Sequence, residues 1–440
     1  MSKLLKAIAL LVIVGAIALL AILLIPSKKT GPQSQLDENY QADLEIGRYL
    51  SIIGNCLSCH TADESKPFAG GKAIFTNMGV IYSTNITPDK ETGIGNYSLD
   101  DFRAALYDGL RKDGKHLYPA MPYENYRKLN EEDIRALYAY FLNEVKAINQ
   151  ENLAIQMNFP FNQRWGLRLW KWTNLEKVGF RPPKTENEKI IRGAYLVQGP
   201  AHCSACHSPR NATMGQKGID DSHSAFLSGA EMNGFAVPNL RGENSATYDW
   251  SVEDIRLFLS TARNAHATAT GAMGVVIGDA LQHLTESDNL AMALYLKHLD
   301  GNSTDPAKLS TGTTEKNATT IELSKADPKL DLGKRLYLDN CVGCHFVDGR
   351  GAPEIFPMLD GNSIVIADSP TSLINIILNG AELPSTEQRP ARLRMPDFAW
   401  RLDDDEVAKL ATFVRQGWTN KAGSVTASQV KSVRDMTSKQ

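Results

Sequence analysis

Apolar residues return at helical spacing in three widely separated stretches, and each run opens on the same kind of polar start. Ile134, Leu137, Tyr138 and Phe141 follow Asn130-Glu131-Glu132-Asp133. Leu290, Ala293, Leu294 and Leu296 follow Thr285-Glu286-Ser287-Asp288, and Val407, Leu410, Phe413 and Val414 follow Asp403-Asp404-Asp405-Glu406. An N-cap residue with an acid three positions later resembles a capping box, so three late helices are predicted. Ahead of them lie three short helical segments that share a glycine: Gly47-Arg48-Tyr49-Leu50, Gly193-Ala194-Tyr195-Leu196 and Gly333-Lys334-Arg335-Leu336-Tyr337. Glycine inside a helix costs about 1 kcal/mol against alanine, so its return predicts another helix laid on the bare backbone there. One repeat is therefore an early helix crossing a late one, three times over.

The N-terminus carries a different pattern. Ala7 to Ile25 is uncharged, preceded by Lys3 and Lys6 and closed by Pro26 and Ser27-Lys28-Lys29. About 19 residues of helix match the hydrocarbon core of a bilayer. No small-residue cleavage site follows, so residues 1–30 are expected to be a retained signal-anchor, with a cleaved secretory signal as the other reading. Either one exports the rest of the chain. Polar stretches then set the boundaries: a tether over 27–36, a first unit at 37–150, a connector at 151–188, a second unit at 189–300, a polar linker at 301–328, a third unit at 329–418 and a polar tail at 419–440. In the connector, Phe161, Trp165, Leu169 and Trp172 fall at helical spacing between Arg164, Arg168 and Lys171. It reads as a strap across neighbouring units, or as a membrane-surface or partner-docking helix.

With 440 residues and a formal charge of -3, the chain has room for several domains and no charge excess that calls for nucleic acid. Its cysteines change the picture. All six fall in three pentapeptides, Cys56-Leu57-Ser58-Cys59-His60, Cys203-Ser204-Ala205-Cys206-His207 and Cys341-Val342-Gly343-Cys344-His345. Each reads as a c-type haem attachment site: one helical turn presents two sulfurs to one porphyrin edge, and the histidine behind them binds the iron. A structural zinc site would gather its ligands from two nearby pairs, and disulfides would leave three adjacent histidines without a task. Three covalently bound haems c are expected, on Cys56 and Cys59, Cys203 and Cys206, and Cys341 and Cys344, with His60, His207 and His345 as proximal iron ligands. Covalent haem attachment belongs to the exported compartment, which agrees with the N-terminus.

Each repeat also offers a methionine beside Pro or Gly, in what reads as a loop between helices. These are Met121 in Tyr118-Pro119-Ala120-Met121-Pro122, Met273 in Gly271-Ala272-Met273-Gly274 and Met395 in Arg394-Met395-Pro396. They are the candidate distal iron ligands, with Met232 a rival to Met273 and with His116 and His266 as sources of bis-His ligation. His/Met ligation leaves no open position and suits electron transfer. The proximal imidazole needs an acceptor for its other nitrogen. The shared Pro-x-Leu-x-Gly pattern places a carbonyl at or beside Pro238 and Pro357, whereas the matching stretch from Tyr82 to Thr87 lacks the proline. Neither a nucleotide-binding glycine fingerprint nor a His/carboxylate cluster suggests substrate chemistry in the chain itself.

These motifs resemble three tandem class I cytochrome c domains, so the expected fold is all-α, three such domains behind an N-terminal transmembrane or signal helix. Over about residues 40 to 430 the chain resembles the triheme cytochrome c subunits of bacterial membrane-bound dehydrogenases acting on alcohols, gluconate, sorbitol or fructose. The resemblance is carried by Ile81-Tyr82-Ser83-Thr84-Asn85-Ile86-Thr87-Pro88-Asp89 with Thr92-Gly93-Ile94-Gly95, by Tyr118-Pro119-Ala120-Met121-Pro122-Tyr123 and by Pro160-Phe161-Asn162. It implies a quinoprotein or flavoprotein catalytic subunit as electron donor, membrane ubiquinone or a terminal oxidase as acceptor, and a site on the periplasmic side of the inner membrane. The polar tail departs from members anchored at the C-terminus and shifts that role to residues 7–25. The competing readings are a cytochrome c peroxidase-like enzyme with an open haem position and a cytochrome subunit of a terminal oxidase or reductase.

Overall fold

The computed structural model describes residues 3–24, 27–37, 40–232, 234–301 and 317–437. These gather into two compact units rather than three separate domains. One is formed by Met1–Ser51, Cys59–Arg181 and Ala212–Gly215, the other by Ile52–Ser58, Pro182–Asn211 and Gln216–Gln440.

In the first unit the helix Leu44–Ile53 meets the helix Glu131–Asn143 at Gly47, where an added Cβ would fall within 3.0 Å of the Ala136 carbonyl. Asn130 caps the later helix, its side chain accepting from the Asp133 N–H. Phe102, Ile134, Leu137 and Phe141 are buried in this unit, with Phe68 edge-on to Phe141 at 5.4 Å. A buried ion pair joins the helices Leu99–Asp108 and Glu131–Asn143: Arg103 donates to both carboxylate oxygens of Glu131, at 2.9 and 2.6 Å. Residues 27–30 do not hang free as a tether. Lys29 pairs with Asp101 at 2.5 Å, and Thr30 donates twice to the Asp108 carboxylate.

The second unit repeats the crossing twice. Helix Glu188–Gln198 lies on Glu286–Leu299 at Gly193 and the Ala291 carbonyl, and Leu332–Asn340 lies on Asp404–Gln416 at Gly333 and the Lys409 carbonyl. Thr285 and Asp403 cap the later helices as expected, Asp403 with a complete capping box to Glu406. The two crossings are tied into one body. The Pro384 ring packs on Gly274 and Gly278, one face of the helix Gly271–Asp279, the Gln282 side chain accepts from the Glu387 N–H at 2.9 Å, and the Glu354 N–H donates to the Asn264 carbonyl at 3.1 Å. The stretch expected as a polar tail instead contains the helix Ala427–Thr437, which buries Val430 and Val433 in the apolar core that also holds Tyr337, Ile374, Val407 and Leu410. Part of the expected linker, residues 302–316, lies outside the described residues, and its far end forms the helix Ala318–Ser324, with Leu323 buried in the same core.

The expectation of an all-α fold is corrected by three small antiparallel sheets. Ala73–Thr76, Gly79–Tyr82 and Gln156–Met157 form the first, Ala230–Met232 and Phe235–Val237 the second, and Ala381–Glu382 with Arg394–Met395 the third. Strands of two to four residues are too short to show a period-two pattern, which is why periodicity misses them. The three-domain expectation gives way to two units because the contacts at Pro384, Gln282 and Glu354 merge the second and third repeats.

The N-terminal anchor is also corrected. Residues 3–24 form a helix, but among the described residues no helix is long and apolar enough to cross a membrane. The end of the expected span, Ile25, and the side chains of residues 18, 19 and 21–24 lie outside what is described. The inner-membrane placement that rested on this anchor loses its support with it.

Candidate metal centres

Each cysteine pair sits on a single turn of helix: Cys56–His60, Ser204–His207 behind the N-cap Cys203, and Val342–His345 behind the N-cap Cys341. No disulfide joins any of the six cysteines, and the first of each pair is half-buried and the second exposed. Burial pushes the Cys203 and Cys341 thiols up to about 12, with the neighbouring Cys206 and Cys344 adding to the effect, and raises Cys59 as well.

The three histidines share one arrangement. His60 Nδ1 lies 2.6 Å from the Thr84 carbonyl, His207 Nδ1 2.9 Å from that of Pro238, and His345 Nδ1 3.1 Å from that of Pro357. A carbonyl can only accept, so Nδ1 carries the proton and donates it, leaving the lone pair on Nε2. Burial lowers the pKa of all three rings, the carbonyls working the other way, which favours the neutral, ligating form. The acceptors at Pro238 and Pro357 are those the Pro-x-Leu-x-Gly pattern indicates, and Thr84 takes their place in the stretch without proline. Two thiols on one turn and an imidazole fixed in the Nε2-donor form fit a covalently held haem iron better than zinc or disulfides.

The candidate distal methionines sit on three different kinds of element. Met121 lies in a tight turn, its N–H donating to the Tyr118 carbonyl at 3.2 Å and its carbonyl accepting from Tyr123 at 2.8 Å. Met273 lies in the helix Gly271–Asp279, not in the loop expected from its flanking glycines. Met395 ends the strand Arg394–Met395 and packs, with Cys341, on the core of the third repeat. The rival Met232 is exposed on the strand Ala230–Met232. Both ring nitrogens of His116 are engaged, Nε2 with Ser27 Oγ at 3.3 Å and Nδ1 with Lys171 Nζ at 2.9 Å. The His266 ring stacks on Trp250 with centroids 5.6 Å apart, and its Nε2 lies 3.5 Å from the Asp254 carboxylate.

One repeated feature escapes sequence reading. Gly70, Gly229 and Gly351 each donate their N–H to the carbonyl of the motif histidine, at 2.7 Å to His60, 2.8 Å to His207 and 3.2 Å to His345. They stand at unequal distances behind their motifs, so no alignment of the pentapeptides brings them into register. Their positive φ angles of 77°, 88° and 62° are the signal that links them.

Among the described residues no group of three or more His, Cys, Asp or Glu side chains could hold a bare metal ion. The cytochrome c family model matches residues 330–418. Over 90% of its length this chain is 40% identical to the gluconate 2-dehydrogenase cytochrome c subunit of Pantoea cypripedii, covering 91% of that protein. It is 39% identical, over 90% of its length and 82% of the other, to the cytochrome c subunit of the quinone-dependent alcohol dehydrogenase of Gluconobacter oxydans (strain 621H). The fructose dehydrogenase cytochrome subunit of Gluconobacter japonicus is 36% identical, over 90% of this chain and 83% of that one.

Proposed function

This chain belongs to the family of cytochrome c subunits of dehydrogenase complexes, and on that premise we propose that it carries electrons from a catalytic dehydrogenase subunit through three covalently bound haems c to a quinone or a terminal oxidase. Its role is electron transfer, with substrate chemistry on the partner subunit. The observation that supports three haems is the threefold return of one arrangement, paired thiols on a helical turn followed by a histidine whose Nδ1 donates to a backbone carbonyl.

Cys56 and Cys59, Cys203 and Cys206, and Cys341 and Cys344 would hold one haem each, in the segments 37–150, 189–300 and 329–418. His60, His207 and His345 would supply the proximal nitrogen, and Met121, Met273 and Met395 the distal sulfur. When bound, each haem supplies an iron that takes up and releases one electron. The chain's own groups fix the ring that faces the iron. Thr84, Pro238 and Pro357 hold each imidazole in one tautomer and, by taking hydrogen-bond density from Nδ1–H, make Nε2 a stronger donor. A thioether from Met121, Met273 or Met395 would favour the ferrous state and would fill the position that a peroxidase-like enzyme keeps open, which weighs against that alternative. Bis-His ligation through His116 is disfavoured because Lys171 and Ser27 already occupy its ring.

A pyridine haemochrome assay on the purified chain tests the count. Three haems per polypeptide are expected, falling to two when both cysteines of any one motif become alanine. Fewer than three in the unaltered chain refutes the triheme reading. Carbon monoxide binding by the ferrous protein at one full equivalent would instead favour an open, peroxidase-like position.

A further inference from the structure

Gly70, Gly229 and Gly351 do more than end a turn. In each, the N–H is spent on the carbonyl of the motif histidine, while the bare Cα faces the segment whose own carbonyl takes the histidine's Nδ1–H. A Cβ on Gly70 would fall within 3.0 Å of the backbone of Ser83, Thr84 and Asn85, the middle residue being the acceptor. On Gly229 it would stand 3.0 Å from the Asn239 nitrogen and 3.2 Å from the Val237 oxygen, on either side of the acceptor Pro238. On Gly351 it would lie 2.8 Å from the Pro357 oxygen, the atom that receives the His345 proton. All three φ angles are positive, where a side chain is strained as well as crowded.

The three sites lie in different local settings, yet the same two hydrogen bonds and the same bare Cα recur: Gly70 forms an isolated bridge with Thr61, Gly229 immediately precedes the strand Ala230–Met232, and Gly351 lies in a loop. Turn geometry alone calls for a positive φ but not for contact with the acceptor of the neighbouring ring. We propose that these glycines are positioning residues that clamp each motif histidine between two fixed carbonyl contacts and so set the strength of its Nδ1–H···O bond, and through it the reduction potential of the haem. The clamp rests on the reading of His60, His207 and His345 as proximal ligands. A weaker bond leaves the imidazole a poorer donor, stabilises the ferrous state and raises the potential.

The test compares Gly351→Ala and Gly229→Ala in the full-length haem-loaded chain. The first crowds the Phe356 oxygen and stands 2.8 Å from the acceptor oxygen of Pro357, and the second crowds atoms on either side of the acceptor Pro238, so the second also serves if the first does not fold. Redox titration gives the three potentials, and nuclear magnetic resonance of histidine-labelled protein follows Nδ1–H exchange with solvent. The expected result is a raised potential at the altered centre only, with its Nδ1–H exchanging about tenfold faster, and a smaller change in Gly229→Ala than in Gly351→Ala. Unchanged potential and exchange in a folded variant overturn the clamp, even if stability falls. Absence of iron-shifted imidazole resonances in the unaltered protein would instead overturn the ligand reading, so the two failures are told apart.

Discussion

Lys171 is 8% exposed, and its ammonium donates to the carbonyls of Asp108 and Gly109, at 2.6 and 2.7 Å, and to His116 Nδ1 at 2.9 Å. Those carbonyls end the helix Leu99–Asp108, where a cation meets the negative end of the helix dipole. Burial pushes Lys171 down to about 7, with the Asp108 carboxylate holding it up and Arg127 pressing it down. Burial, followed by repulsion from Lys171, Arg168 and Arg164, drives His116 down to about 4. An unfolded histidine titrates near 6.5, so between about pH 4 and 6.5 the unfolded chain binds more protons at this position than the folded one. The stability contributed by neutral His116 is therefore present above about 6.5 and lost as the pH falls toward 4. Denaturant titrations of the wild type and His116→Asn at about pH 7 and pH 4.5 should show a gap that narrows on acidification. A constant gap would mean that the ring does not titrate in this window.

At the scale of elements, the glycine crossings decide how each repeat closes. Gly193→Ala should gain up to about 1 kcal/mol of helix propensity and lose about 1–3 kcal/mol to crowding against the Ala291 carbonyl. The net expectation is a lower urea midpoint with an unchanged m-value, and a raised midpoint would show that the helices can part at no cost. Asp403→Ala should remove the side chain that accepts from the Glu406 N–H and lower stability by about 1 kcal/mol. These features are legible in sequence because they are local or repeat in register. The helix around Met273 is not, since Gly271, Gly274 and Gly278 read as loop, and the reason for two of those glycines is the Pro384 ring, more than a hundred residues away. The helix Ala427–Thr437 shows little beyond Val430 and Val433 as an apolar face, and its burial depends on a core completed by other elements.

For the whole molecule, electron flow through a series of centres is limited by its weakest link. Met395→His should keep its haem and lower that centre's potential, because imidazole replaces a thioether that favours ferrous iron. Each fall of about 59 mV shifts electron sharing with a neighbouring centre tenfold. In the complex with its dehydrogenase, transfer to a quinone should slow while direct reduction of a dye by the catalytic subunit is unchanged. An unaltered potential would remove Met395 from the iron, and a lowered potential with undiminished quinone reduction would remove that centre from the path. The single helical turn that carries each cysteine pair with its histidine, and two of the three Nδ1 acceptors, could be read from the chain because they follow from short fixed spacings. The sheets, the merging of two repeats into one unit and the glycine clamps could not. They depend on backbone meeting backbone across variable distances, and backbone carries no sequence label.

The same glycine crossings also bear on when each repeat can close. Gly47 waits for Ala136, Gly193 for Ala291 and Gly333 for Lys409, intervals of roughly 75 to 100 residues that take seconds to tens of seconds to synthesise at about 5–20 residues per second. The cysteine pairs lie at the early end of every interval. Until the late helix arrives, each early helix keeps its bare glycine face uncovered and each pair of thiols stands on an unclosed repeat. Lengthening such an interval would prolong that open state, and moving the closing helix upstream would shorten it.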